Sequence, residues 1–241
     1  SRRRHTRYIS VTGVQTCALP IYYVLKNGFS GVLIGLSGGV DSALTLAIAC
    51  DALGADKVRA VMMPSQFTAQ MSLDDSAEMV RRTGVQYDVI PIRPVLDAFL
   101  TQMQSQFAGK KPDLTEENLQ SRIRGTMLMA LSNQTGAMVL TTGNKSEMAV
   151  GYATIYGDMA GGFAVIKDVA KTMVWDLCRW RNTQSAVIPE NIITRAPTAE
   201  LREDQTDQDS LPEYPVLDAI VEADRKSTRL NSCHTDISRM P

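Results

Sequence analysis

The residues best suited to chemistry are Ser37-Gly38-Gly39-Val40-Asp41-Ser42, two glycines set among hydroxyls and one acid. An apolar run, GVLIGL at 31–36, leads into them and an apolar helical pattern leads out. Glycines placed there let the backbone approach a ligand closely, and the start of the following helix offers unpaired N–H donors and the positive end of a dipole. The combination is an anion cradle. A GxxxxGK[ST] loop would bring its own lysine to a phosphate, and none is present; a GxGxxG dinucleotide fingerprint is absent too. Taken alone, Asp41 and Ser42 would pass for helix caps and the glycines for turn formers. The strand before and the helix after favour the cradle.

Elements that must hold this turn in place are legible along the chain. Short apolar runs alternate with longer amphipathic stretches, the pattern of βα units around a parallel sheet in an α/β domain. Strands are predicted at 31–36, 58–64, 86–92 and 137–142. Helices are predicted at 42–53, about 72–84, 95–107, from Thr115 to about Ser132, 145–151 and 172–180. Thr115 and Asn118 are taken as the capping pair of the long helix, with Asn standing where Glu or Gln is favoured. The stretch 157–167 reads as Gly-rich and irregular, and the acidic, proline-interrupted stretch 195–215 as a mobile flap. Met127, Met129 and Met148 read as core fillers. No repeat or low-complexity tract appears, so one domain is expected.

The two ends differ from the middle in kind. A legal nucleotide coding of residues 4–21 has a reverse complement that encodes residues 224–241 over all 18 positions, and the symmetry stops at Tyr22 and Ala223. Selection on protein does not produce that. The segments VTGVQTCALPI and DRKSTRLNS also resemble the two translated strands of a sequencing-library adapter. Segments 1–21 and 224–241 are therefore expected to be non-native, leaving 22–223 as the native unit.

Removing 21 and 18 residues from 241 leaves 202. Eight of the 25 basic and two of the 26 acidic residues lie in those ends, so the middle holds 17 and 24, a net charge of −7. That is a poor surface for phosphate backbones, and no nucleic-acid partner is expected. Both histidines, His5 and His234, also fall in the ends. Without histidine, a Ser/His/Asp triad, a Cys/His dyad and a His-ligated zinc site are excluded for 22–223. Cys50 and Cys178 sit in apolar helical patterns and read as reduced thiols in a cytoplasmic protein. No run approaches the roughly 18 apolar residues of a membrane span, and no secretory leader is apparent.

SGGVDS resembles the pyrophosphate-binding loop of the N-type ATP pyrophosphatases, whose fold is a parallel sheet with helices on both faces, of the adenine nucleotide alpha hydrolase-like kind. The blocks GLSGGVDSALTLAIA, TEENLQSRIRG, LTTGNKSEMAVGYATIYGDMAGGFAVIKDV and PTAELREDQTDQDSLP resemble, in order and spacing, the synthetase domain of glutamine-dependent NAD synthetase. That resemblance implies ATP-dependent amidation of deamido-NAD to NAD through an acyl-adenylate, with ammonia as nitrogen donor. It also implies an upstream amidase domain in the intact protein, which nothing before Tyr22 encodes, and assembly as a homo-oligomer. Ala170, where the family often has proline, and Ser121, where alanine is usual, depart from the pattern without removing a functional group.

Residue by residue, the resemblance places ATP against Gly35, Leu36, Ser37, Gly38, Gly39, Val40, Asp41 and Ser42, and against Thr142, Glu147, Lys171 and Thr198. Asp41, Lys171 and Thr198 are the expected catalytic set. Asp41 and Glu147 are the expected ligands of Mg2+, a hard ion that favours carboxylates and phosphates. Arg122 and Asp158 are expected to meet deamido-NAD; Arg124, two positions on, is balanced between a solvated role and a functional one. Two rivals stand beside this reading. Another SGGxDS enzyme, modifying tRNA or amidating a purine, would need a basic RNA surface or a glutaminase partner. A nucleotide-binding fragment without turnover would need neither.

Overall fold

Five strands, all parallel, form one sheet in the order β3-β2-β1-β4-β5 in a computed structural model that describes residues 23–24 and 26–224. Of the adapter-like segments 1–21 and 224–241, all but Asp224 lie outside the described residues. The strands are β1 (Val32–Gly35), β2 (Val58–Met62), β3 (Gln86–Val89), β4 (Met138–Thr141) and β5 (Phe163–Ala164). The helices are α1 (Val40–Leu53), α2 (Gln70–Thr83), α3 (Arg93–Phe107), α4 (Leu114–Thr135), α5 (Lys145–Val150), α6 (Lys171–Gln184), α7 (Glu190–Thr194) and α8, residues 214–224.

Central strands are apolar at successive positions because both of their faces are covered. On β1, Val32 and Ile34 join one buried cluster with residues of α1, α6 and α7, whereas Leu33 joins the other with Leu96 of α3 and Ile123 and Leu128 of α4. Met138 and Leu140 of β4 repeat the first assignment and Val139 the second. Helices therefore lie on both faces, as expected. Helix α1 is apolar nearly all round because it is enclosed between the sheet and its neighbours, with eight of its 14 residues buried.

The order of the sheet reverses at β1, which pairs with β2 on one side and β4 on the other. Chains leaving the carboxyl ends of β1 and β4 diverge there and open a crevice, the place where open parallel sheets hold ligands.

Four local expectations are corrected. The capping pair of α4 is Asp113 and Glu116, two residues earlier than Thr115 and Asn118: the Asp113 carboxylate accepts from Thr115 N at 2.7 Å, and Glu116 accepts from Asp113 N at 2.8 Å. The stretch 157–167 contributes the two-residue edge strand β5. Met129 and Met148 are exposed on their helices rather than in the core. The stretch 195–215, expected as a mobile flap, is laid against the domain: Gln120 Nε2 donates to Leu201 O at 2.9 Å, Asp207 is buried in a single 3-10 turn at Asp207–Asp209, and residues 214 and 215 begin α8.

Candidate active site

Immediately after β1, the Leu36 amide still reaches across to Val61 O at 3.0 Å, and then the chain turns. Gly38 takes φ +82°, and a Cβ there would stand 2.7 Å from Ser72 O. Only glycine fits on both counts. Gly39 is the N-cap of α1. Ser42 Oγ donates to Gly39 O (3.0 Å) and accepts from Ser37 N (3.2 Å), while Gly39 N donates to Ser37 Oγ (3.2 Å). The two hydroxyls thus occupy the amides of Ser37 and Gly39 and hold the turn in shape.

Beside this turn two polar elements converge. Asp41 projects from the first turn of α1, and Glu147 from the first turn of α5. Asn144, fully buried, joins them: its Nδ2 donates to Asp41 Oδ1 at 2.9 Å, its Oδ1 accepts from Glu147 N at 3.0 Å, and Glu147 returns the bond to Asn144 N. Lys171, at the start of α6 and 2% exposed, points its ammonium between the acids, 2.5 Å from Asp41 Oδ2 and 3.1 Å from Glu147 Oε1. The rings of Tyr214 and Trp175 lie 5.1 and 5.9 Å from that ammonium.

Burial, and then the charge of Asp41, push the Glu147 carboxyl up to about 7, with Lys171 opposing them. Burial alone would depress the Lys171 ammonium, but Asp41 and Glu147 hold it well above the ordinary lysine range. The two carboxylates thus face one cation-sized point. Among the described residues no cluster of three or more His, Cys, Asp or Glu forms a ready cage. A pair of carboxylates suits a hard divalent ion that completes its shell with substrate oxygens and water.

Two adjoining cavities open at the crevice. The smaller, about 180 Å³, is lined by Ser37, Gly39, Val40, Asp41 and Ser42 of the turn, and by Glu147, Lys171 and Thr198. The larger, about 620 Å³, is lined by Gly35, Leu36, Met63, Arg124 and Leu128 among others. Ser37, Thr142, Tyr152 and Asp158 border both. Gly38 lines neither cavity. The Asp158 carboxylate accepts from Thr154 N at 2.6 Å, and burial raises its pKa. Thr198 Oγ1 accepts from Glu200 N at 3.2 Å. Arg122 stays outside both cavities: it is exposed, and its Nε donates to Ile155 O at 3.2 Å. Arg124, facing the opposite way, is the enclosed one of the pair: its Nε donates to Met63 O at 3.0 Å, and burial lowers its pKa to about 10. The larger cavity's wall is tight where α4 meets the loop after α5. A Cβ on Gly125 would lie 2.8 Å from Gly157 O, and one on Gly157 would lie 2.8 Å from Ser121 Cβ.

Sequence reasoning passed over Asn144, Asp207 and Tyr214. Asn144 and Glu147 form an N-x-x-E capping pair, a signal present in GNKSE. Asp207 accepts from Tyr214 Oη at 2.7 Å and adds to the negative surroundings of Lys171; nothing local in the sequence announces it. Asn144→Ala removes the cap of α5 and leaves Asp41 Oδ1 without its donor, so a loss of about 1–3 kcal/mol is expected. Chemical unfolding checks it, and a change under about 0.3 kcal/mol would rule out the linking role.

Comparison with known proteins bears on this arrangement. A family model described as NAD synthase matches residues 15–239. The glutamine-dependent NAD(+) synthetase of Acinetobacter baylyi is 60% identical over 203 residues, covering 83% of this chain and 38% of that protein, so the chain spans about two-fifths of that curated relative. Among solved structures, the glutamine-dependent NAD+ synthetase of Acinetobacter baumannii in complex with adenosine diphosphate superposes with TM-score 0.75 at 50% identity, covering 88% of this chain and 38% of that one. The NMN synthetase of Francisella tularensis superposes with TM-score 0.81 at 27% identity, covering 89% and 86%. With a family model matched over nearly the whole length and a relative 60% identical over 83% of it, the chain belongs to the NAD synthase family.

Proposed function

We propose that residues 22–223 carry out ATP-dependent amidation of deamido-NAD. A nicotinate carboxylate oxygen forms a bond to the α-phosphorus of ATP while the bond to pyrophosphate breaks. Ammonia then forms the C–N bond at the acyl carbon, AMP departs with the former carboxylate oxygen, and a proton is released to solvent. The products are NAD, AMP and pyrophosphate. The observation that carries this reading is the smaller cavity, where an anion cradle without its own lysine faces two convergent carboxylates.

In this reading the turn at 37–42 receives the departing pyrophosphate, where charge develops. Asp41 and Glu147 would hold Mg2+, which when bound neutralises phosphate charge. Lys171 and Thr198 reach the phosphates from the opposite wall, Thr142 borders the adenosine, and Asp158 borders the acceptor. Arg122 meets deamido-NAD from the rim. Ammonia is supplied by an amidase unit of the longer intact protein, consistent with the glutamine dependence named for its longer relatives. Assembly as a homo-oligomer and a cytoplasmic location complete the proposal. The location is supported by Cys50 and Cys178, both free thiols among the described residues.

The test is a reaction of the purified chain with ATP, Mg2+, ammonium and either deamido-NAD or nicotinic acid mononucleotide, scored for amide product and AMP. NAD formation dependent on deamido-NAD supports the reading, and preference for the mononucleotide would reassign the substrate. Pyrophosphate release independent of either acceptor would favour another SGGxDS enzyme; nucleotide binding without turnover would mark an inactive fragment. Asp41→Asn should cut turnover by about tenfold or more. A near-normal rate would retire Asp41 as metal ligand.

A further inference from the structure

The cradle at 37–42 carries no lysine of its own, and Lys171 is held by Asp41 and Glu147 at 2.5 and 3.1 Å. Asp158, Glu200 and Asp207 add three more acids to the border of the same cavity. A pyrophosphate entering there meets a wall dominated by negative charge, and among the described residues Arg195 is the one cationic side chain on that wall besides Lys171. Arg195 comes from the end of α7, 157 residues from the turn it touches.

Its guanidinium is fixed in a built site. Nη2 donates to Gly38 O at 2.7 Å and Nη1 to Ser72 Oγ at 2.9 Å. Ser72 is fully buried, and its hydroxyl donates to Glu200 Oε1 at 2.5 Å. Glu200 holds φ +50° and lies over the start of α2, its other oxygen 3.4 Å from Ala69 N. A non-glycine residue in that conformation persists only where its surroundings impose it, and such residues gather at functional sites. Glu200 Oε1 also stands 4.0 Å from Nη1, an ion pair at the long end of the range, and only two of the five guanidinium N–H donors make hydrogen bonds among the described residues.

We propose that Arg195 is a further phosphate ligand of the ATP site, delivering from outside the turn the positive charge that a lysine inside such a loop would supply. By binding Gly38 O it also keeps a carbonyl dipole neutralised beside the incoming anion. The planar fork suits two oxygens of a phosphate better than an ammonium does. This inference rests on the smaller cavity being the pyrophosphate site.

The experiment is calorimetric titration of the whole chain, in Mg2+ buffer, with inorganic pyrophosphate and separately with AMP, for wild type, Arg195→Gln and Arg195→Lys. Arg195→Gln should weaken pyrophosphate by about tenfold or more and leave AMP within about twofold, with Arg195→Lys between wild type and Gln. Pyrophosphate affinity unchanged in Arg195→Gln overturns the proposal. So does an equal loss for both ligands with a lowered Tm, the mark of a purely structural residue; Arg195→Lys, which keeps the charge, separates these outcomes if the glutamine variant folds poorly. Wild type binding AMP but not pyrophosphate would remove the cavity assignment itself, and the arginine's role with it.

Discussion

Lys171→Met should lower the stability of the ligand-free protein by about 3–5 kcal/mol and abolish turnover. Methionine retains the length and apolar packing of the lysine stem against Tyr214 and Trp175, so the loss isolates the ammonium. Without it, Asp41 and Glu147 face each other in a nearly dry space with Asp207 close by. The pH dependence has a definite sign. Glu147 already titrates near 7, above its ordinary 4.5, so the folded protein binds a proton there more readily than the unfolded chain does. In the variant that elevation increases, and the deficit is fully present above the raised folded pKa. It shrinks as pH falls toward 4.5, where both states are protonated. Urea unfolding at several pH values measures it; a midpoint equal to wild type at neutral pH, with the same slope, would show that the ammonium does not hold the acids.

Gly38→Ala is expected to have the second largest effect, through two separable costs. Its φ of +82° is the left-handed region, which an L side chain enters at about 1–2 kcal/mol. The added methyl would also stand 2.7 Å from Ser72 O and 2.9 Å from Ser72 Cα, backbone atoms that cannot swing aside. The turn or the start of α2 must therefore move, taking the Arg195 and Glu200 contacts with it. ATP affinity should fall by about tenfold or more. Gly84→Ala is the control: its φ is +72° and nothing lies within 4 Å, so it bears the conformational cost alone. If both variants lose stability equally and both bind ATP like wild type, the close approach at Gly38 has no role in the site.

Features carried by contiguous residues were legible in the sequence. Four apolar runs gave four strands within one or two residues at most ends, and SGGVDS gave the turn and the helix behind it. What escaped depends on partners far apart along the chain. Two residues of β5 are too short to show a period, and their pairing is fixed by β4. Lys171 alone has the profile of a surface lysine; its burial follows from Asp41, 130 positions away, and Glu147, 24 away. Arg195 and Glu200 sit in a polar, proline-broken stretch whose composition suggests freedom, yet Ser72 engages both residues and Gly38 the first of them. Arg122 and Arg124 show the limit of motif matching from the other side: two positions apart on one helix, they face opposite environments, and only the packing of α4 decides which is enclosed.

The interlock of Gly125 with Gly157, and of Gly157 with Ser121, makes the middle of α4 and the bend bearing Asp158 a single mechanical piece. Neither partner can slide by one residue without driving a side chain into a peptide group. A substitution that separates the two would be expected to loosen Asp158, which borders both cavities, and Arg124, in the wall of the larger one, together.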